Sequence, residues 1–168
     1  QGERAPIKLL MDTLSDKDWG VRSAVAGALG KLGERVPLEP LVRALSDASW
    51  QVREAAVDAL GRLGTRVPVE LLIEALQDEN DHVLYGALGA LKEREGDTLV
   101  QELVTVLLNK TLDRMPRIAA ARLLGKQHPP ILIEPLLAIL YDPYEDGVIR
   151  ADTAKAIGNI GQLSLEFV

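Results

Sequence analysis

The side chains that could do chemistry in this sequence are few. Its two histidines, His82 and His128, lie far apart in the chain, and the 168 residues include no cysteine. Neither histidine is followed by glutamate, and no H-E-x-x-H segment occurs, so the usual ligand set for zinc is missing. We interpret both histidines as solvated surface residues and predict no metal, no cofactor and no catalytic centre. The lack of cysteine also excludes disulfide bonds within this chain.

The glycine-rich segment GALGKLG, residues 27–33, superficially suggests a phosphate-binding loop. It lacks the G-x-x-x-x-G-K-[ST] spacing, and no strand-like segment precedes it. The G-x-S-x-G motif of a nucleophilic serine is also absent. We therefore interpret these glycines as positions where helices pack closely or end.

Arginine recurs at a nearly constant spacing. When the chain is aligned on the tetrapeptide WQVR, successive positions are separated by 31, 31, 33 and 33 residues: Arg22, Arg53, Leu84, Arg117 and Arg150. Acidic residues such as Asp16, Asp47 and Asp78 lie near them. These arginines could bind an anionic ligand, or they could pair with the acids of adjacent repeats at ~0.5–1 kcal/mol each if partly exposed. We favour pairing.

Two tryptophans, Trp19 and Trp50, occupy the same position in consecutive repeats. In stacked helices they would lie about 10 Å apart, the usual distance between helix axes. Such a pair could hold a nucleobase or an apolar side chain of a partner. The alternative, which we favour, is that each covers the end of the apolar core between repeats.

The repeated positions require a repeated helix to hold them. A residue that can cap a helix stands four positions before each aligned residue: Asp18, Ser49, Asn80, Asp113 and Asp146. An apolar stripe with helical spacing follows each cap; in the second repeat it comprises Val52, Ala55, Ala56, Ala59, Leu60 and Leu63. We predict first-type helices at 19–32, 50–63, 81–94, 114–126 and 147–160, with Gly33, Gly64 and Gly161 ending three of them.

Shorter apolar segments separate the first-type helices, and several begin with proline, which a first helical turn tolerates. We predict second-type helices at 6–14, 37–46, 68–77, 98–108 and 130–140. Short connections make successive helices antiparallel, and no segment alternates long enough to form a strand. A single helical hairpin cannot bury its apolar face, but stacked hairpins can. The sequence therefore predicts one all-α domain, 1–168, with repeats near 6–33, 37–64, 68–96, 97–127 and 129–161.

The pattern D-x-x-W-x-V-R-x-A-A-x-x-A-L-G-x-L-G resembles the short HEAT repeats of the phycobilisome-lyase type. The resemblance covers roughly residues 6–161 and is clear in repeats one, two and five. It implies a right-handed superhelix, or α-solenoid, with first-type helices on the convex side and second-type helices lining a concave groove. It also implies a binding or scaffolding role inside a larger polypeptide.

Two repeats, the third and the fifth, depart from the pattern at single positions. The third repeat has Leu84 in place of arginine, Gly86 in place of alanine and Arg94 where leucine is expected, so we predict that it is the least stable. Asp152 replaces the small residue of other repeats. It could be an acid–base group with a shifted pKa. We favour an ion pair or hydrogen bond to Arg150, Arg117 or a neighbouring loop amide.

Polar residues of the second-type helices are the candidates for partner binding, because the resemblance places these helices along the groove. The candidate residues are Glu39, Arg43, Glu70, Glu74, Gln101, Thr105 and Glu134. Some of their charge is expected to be paired internally, since Glu39 and Arg43 are four residues apart and Asp12 and Glu74 flank Arg43. A purely solvated face is the alternative.

Composition narrows the class of partner. The net charge is −6, residues 1–84 carry 10 Lys/Arg against 14 Asp/Glu, and no basic block occurs, so nucleic acid is not an expected partner. The apolar run ILIEPLLAIL is interrupted by Glu134 and Pro135 and is too short for a bilayer. We predict a cytoplasmic, non-catalytic protein-interaction module. Alternatives are a lyase-like or chaperone-like subunit that handles a tetrapyrrole or its apoprotein, and, less favoured, a DNA-binding helical-repeat glycosylase.

The last first-type helix is as apolar as the inner ones, and Leu163, Leu165, Phe167 and Val168 follow it. Left uncovered, these side chains would form an apolar patch that drives association. We expect the chain to be a piece of a longer protein that associates end to end or folds its last residues over the final repeat.

Overall fold

The computed structural model describes residues 4–92, 94–127 and 133–165. These residues form ten α-helices and no strand, as the sequence predicts. The helices are α1 (Arg4–Thr13), α2 (Trp19–Leu32), α3 (Glu39–Ala44), α4 (Trp50–Arg62), α5 (Val69–Ala75), α6 (Asp81–Leu91), α7 (Asp97–Leu108), α8 (Arg114–Leu124), α9 (Ile133–Tyr141) and α10 (Gly147–Leu165). Even-numbered helices are the first type and odd-numbered helices the second type.

The chain divides into two compact units, Gln1–Leu91 and Lys92–Val168. In unit 1, α2 packs on α4 and α4 on α6, and each second-type helix packs on the first-type helix that follows it. In unit 2, α7 packs on α8, α8 on α10, and α9 on α10. The prediction of a single domain, 1–168, stays a prediction.

Repeat-equivalent leucines form the core of both units. In first-type helices, Leu29, Leu60, Leu91 and Leu124 are fully buried. In second-type helices, so are Leu41, Leu72, Leu103 and Leu136. Burying one such side chain contributes about 1.5–3 kcal/mol, so the repeated leucines make a large contribution to the stability of each unit.

First-type helices approach one another closely at one glycine position. A Cβ added to Gly30 would lie 2.6 Å from Cα of Ala59, and one added to Gly61 would lie 2.8 Å from Cβ of Ala90. In unit 2, a Cβ on Gly125 would lie 3.0 Å from Cα of Ala156. Any larger residue at these glycines would push the neighbouring helix away, which explains the recurrent GxLG segment.

The ends of the first-type helices correct three predictions. Gly33 and Gly64 follow their helices with positive φ, 65° and 60°, and each begins a short 3₁₀ turn, as expected of helix-ending glycines. Helix α6, however, ends at Leu91, so Arg94 lies outside it, although its side chain is buried. Helix α8 ends at Leu124, before the predicted residue 126. Gly161 ends no helix, because α10 continues to Leu165.

Three of the five predicted caps act through their side chains. Asp18 accepts hydrogen bonds from the N–H groups of Gly20 and Val21. Asn80 accepts one from His82, and Asp146 accepts from Val148 and Ile149. Ser49 and Asp113 do not cap; the hydroxyl of Ser49 donates to the side chain of Gln51 instead.

Helices α3 and α5 are shorter than the predicted 37–46 and 68–77. Their last residues form turns: the N–H of Leu45 bonds to the carbonyl of Val42, and that of Leu76 to the carbonyl of Ile73. Such i to i−3 bonds tighten a helix end into a turn. Residues 128–132, including His128 and the predicted start of the helix at 130, lie outside the described residues, as do Phe167 and Val168.

Candidate functional site

The recurrent arginines of unit 1 join adjacent repeats by ion pairs. Nε and Nη2 of Arg22 donate to the two carboxylate oxygens of Asp47, both at 2.7 Å. Arg53 binds Asp78 in the same way, at 2.7 and 2.9 Å. The remaining Nη1 of each arginine donates to carbonyls of the preceding turn, at 2.9 Å for Asp16 and 3.0 Å for Asp47. The predicted pairing is confirmed, and these guanidinium groups are not available as a ligand-binding row.

The acids of these pairs have a second role in their own turns. Asp47 also accepts the N–H of Ser49 at 2.8 Å, and Asp78 accepts that of Asn80 at 2.9 Å. The hydrogen bond from Arg22 holds the pKa of Asp47 below its usual value. Burial raises the pKa of Asp78, but the bonds from Arg53 and Asn80 outweigh it and lower the pKa overall. Both groups are therefore carboxylates at neutral pH.

Unit 2 repeats this scheme with a glutamate. Arg117 donates to both oxygens of Glu145, at 2.9 and 2.6 Å, and to the carbonyl of Leu107 at 2.9 Å. Arg150 donates to the carbonyl of Leu140 at 3.1 Å, but it forms no ion pair with any residue that the structure describes. Leu84, the exception in the series, is buried.

Asp152 is held in an ion pair, although not with the expected partners. Its two oxygens accept from Nε of Arg122 at 2.8 Å and Nζ of Lys155 at 2.9 Å, while Arg150 and Arg117 bind elsewhere. The bond from Lys155, followed by that from Arg122, lowers the pKa of Asp152 despite its burial. A general acid or base near neutral pH needs a raised pKa, so these contacts favour the structural role.

The two tryptophans have different surroundings: Trp19 is 50% exposed, whereas Trp50 contacts the next repeat. Trp50 stacks on the ring of His82 in the next repeat, with centroids 4.8 Å apart and 17° between planes. His82 is otherwise exposed, as predicted, with Nδ1 3.9 Å from Glu54. Trp50 thus covers the α4–α6 boundary. Among the described residues, no group of three His, Asp or Glu side chains could hold a metal ion.

All seven candidate binding residues are exposed. Glu39 and Arg43 lie on α3 and Glu70 and Glu74 on α5, all in unit 1. In unit 2, Gln101, Thr105 and Glu134 lie on α7 and α9. The hydroxyl of Thr105 is used within its own helix, where it donates to the carbonyl of Gln101 at 3.0 Å.

Glu39, Arg43, Glu70 and Glu74 form what we call the acidic face of unit 1. Glu39 and Glu70 are repeat-equivalent, as are Arg43 and Glu74. The expected pairing of Arg43 with Glu39, or with Asp12 and Glu74, is wrong: within the described part of the chain, Arg43 and the three glutamates make no ion pair. Their side chains extend into water, which solvates an exposed charge about as well as a partner would.

No helix of the described residues is long and apolar enough to cross a membrane. Stacked helical hairpins with recurrent leucine, glycine and arginine positions define the class of helical-repeat, or α-solenoid, proteins. The family model for HEAT repeats matches residues 1–48 and 38–115. The chain therefore belongs to the HEAT-repeat family.

Several solved structures share this fold. The complex of CpcE and CpcF of phycocyanin lyase from Nostoc sp. PCC7120 is 23% identical, with a TM-score of 0.61 over 95% of this chain and 66% of that one. A HEAT-like repeat protein from Thermococcus onnurineus NA1 is 15% identical, with a TM-score of 0.58 over 95% and 72%. A designed armadillo repeat protein in complex with the peptide (KR)4 is 19% identical, with a TM-score of 0.52 over 91% and 81%. No curated protein matches the sequence.

Proposed function

We propose that this chain is a non-catalytic protein-interaction module, and that the acidic face of unit 1 binds a basic segment of its partner. The observation that carries the proposal is the contrast between two sets of charges. The charges that join repeats are paired and largely buried, as in Arg53 and Asp78, whereas those of the acidic face are exposed and unpaired. The first set stabilises the fold, and the second set remains free for a partner.

The composition of the acidic face favours a cationic partner. The acidic face carries three carboxylates and one guanidinium, so an incoming lysine or arginine meets a net negative charge. An exposed carboxylate without a partner loses no existing ion pair when it binds. Because the charges lie in the same register on α3 and α5, they suit a segment with basic residues at regular intervals.

A related fold provides a precedent for this kind of recognition. The designed armadillo repeat protein that shares this fold binds the alternating Lys-Arg peptide (KR)4. For this chain, the proposal extends to the polar residues of α7 and α9 as secondary contacts: Gln101, Thr105 and Glu134. As the HEAT resemblance implies, we place the module within a larger polypeptide. We also propose a cytoplasmic location, with which the absence of cysteine is compatible.

The test uses the peptide (KR)4 as a probe, with fluorescence anisotropy at 50 and 200 mM salt. We expect binding that weakens with salt, because exposed charge pairs are screened. Glu39→Lys, Glu70→Lys and Glu74→Lys combined should weaken it at least tenfold without a large change in melting temperature.

The matched control reverses three exposed or half-exposed acids on the first-type helices of unit 1: Glu54→Lys, Asp58→Lys and Asp81→Lys. This control variant changes the net charge by the same amount as the triple variant of the acidic face, and it should reduce peptide binding far less. Equal losses in the two triple variants would show that net charge alone attracts the peptide. No binding at 50 mM salt would overturn the acidic face as a basic-segment site.

A further inference from the structure

Consecutive first-type helices make the same contact several times in this molecule. The helix that comes first presents a glycine and an arginine; we call this its outgoing side. The helix that follows presents an alanine, and the acidic residue in the turn before it binds that arginine. We call this its incoming side. Gly30 lies against Ala59 while Arg22 binds Asp47, and Gly61 lies against Ala90 while Arg53 binds Asp78.

Helix α10 has an outgoing side that nothing covers within the described residues. A Cβ on Gly158 would meet no atom within 4 Å, whereas its repeat equivalent Gly125 lies against Ala156. Ala154 is exposed, although its equivalents Ala26, Val57 and Ala121 are fully buried and Leu88 is half-buried. Arg150, the equivalent of Arg22 and Arg53, has no carboxylate partner in the described part of the chain.

Helix α2 has the complementary incoming side, also uncovered by the described residues. Val21 is 38% exposed, whereas its equivalents Val52 and Val83 are 1% and 0% exposed. Leu10, Val21, Ala24 and Ala28 line an open apolar cleft of ≈ 530 Å³ on this side. The carboxylate of Asp16, the equivalent of those of Asp47 and Asp78, accepts the N–H of Asp18. It forms no ion pair with a described arginine, and only the backbone carbonyl of Asp16 accepts from Arg22.

We propose that the outgoing side of α10 in one copy of this chain docks on the incoming side of α2 in a second copy. Arg150 then binds Asp16, and Gly158 packs on Ala28, as the corresponding residues do between repeats within one chain. We choose a second copy as the occupant because its α10 carries the arginine and the glycine that the incoming side of α2 requires. These residues, Arg150 and Gly158, are eight residues apart, as Arg22 and Gly30 are. The contact is heterologous, so it joins molecules head to tail into a chain or a ring.

The first test is sedimentation velocity of the full chain from micromolar to millimolar concentration. The average mass should rise with concentration. Gly158→Ala should weaken association at least tenfold, because the added methyl group would separate the two helices, while it raises helix stability. Gly89→Ala is the matched control: Gly89 is also helical and has no atom near its Cβ position, but it lies on α6. It should leave association unchanged.

The second test exchanges the charges of the proposed contact. Asp16→Arg alone and Arg150→Asp alone should each remain largely monomeric, because like charges would meet. An equimolar mixture of the two variants should assemble again, since both of its junctions then join opposite charges. A wild-type chain that stays monomeric throughout, or association that Arg150→Asp does not weaken, would overturn the proposal. The second result would indicate that association uses a contact without Arg150, such as a symmetric contact between two α2 helices.

Discussion

At the scale of single residues, the ion pairs between repeats combine three kinds of bond in one side chain. Nε and Nη2 of Arg53 donate to the carboxylate of Asp78, and its Nη1 donates to carbonyls of the preceding turn. Its side chain is 11% exposed and that of Asp78 is 12% exposed, so water cannot replace these bonds easily. The pair therefore contributes more to the free energy of unfolding than an exposed ion pair, whose typical contribution is about 0–1 kcal/mol.

Arg53→Ala should destabilise the protein by about 2–4 kcal/mol, because it leaves a largely buried carboxylate and partly buried carbonyls without their donor. Urea unfolding monitored by circular dichroism gives this free energy. Arg43→Ala removes an exposed, unpaired arginine and should change it by less than about 0.5 kcal/mol. Similar losses for the two variants would show that the pairing of Arg53 contributes little.

The same pairs predict how stability depends on pH. Asp47, Asp78 and Glu145 have pKa values lowered in the folded state by bonds from arginine. Their contribution is therefore complete above the unfolded pKa values of about 4 and is lost as the pH falls through the lower folded values. The urea midpoint should fall steeply below about pH 4. Asp78→Asn should reduce that slope, whereas Glu70→Gln, on the exposed face, should leave it unchanged.

At the scale of helices, the spacing of apolar residues predicted which segments are helical and which residues are buried. This works because the spacing along the sequence is enough to place apolar residues on one face of a helix. The ends were less predictable. Helix α6 stops at Leu91 and α10 passes Gly161, because capping and packing decide these ends locally. Spacing also indicated the pairing of the arginines with the acids, but not the choice of Arg122 and Lys155 as partners of Asp152, which depends on how α8 packs against α10.

Glycines inside helices should respond to substitution in opposite directions. Gly30→Ala should destabilise the protein by about 1–3 kcal/mol, since its Cβ would lie 2.6 Å from Cα of Ala59. Gly89→Ala should stabilise it by about 0.5–1 kcal/mol, because space is open there and alanine favours the helix. Thermal and urea unfolding of the two variants check this.

At the scale of the whole molecule, charge decides which partners are attracted at a distance. The net charge is −6, and the arginines of the repeat boundaries are mostly neutralised by bound acids. We expect no salt-sensitive binding to a fluorescent 20-base-pair DNA duplex at 50 mM salt, because binding to phosphates requires free cationic groups. Micromolar affinity that weakens with added salt would contradict this expectation and reopen the glycosylase alternative.

The composition of each repeat boundary affects how such a chain can lengthen by gene duplication. The arginine of each pair belongs to one repeat and the acid to the next, as with Arg22 and Asp47. If the part of the gene that encodes 31 residues is duplicated, the inserted copy brings both an arginine and an acid. Its arginine faces the acid of the repeat that follows it, and its acid faces the arginine of the repeat that precedes it. Every junction would be complete at once, without compensating mutations. Variants with one, two or three inserted copies of residues 22–52 should fold, and their helical content should grow in proportion to the number of copies.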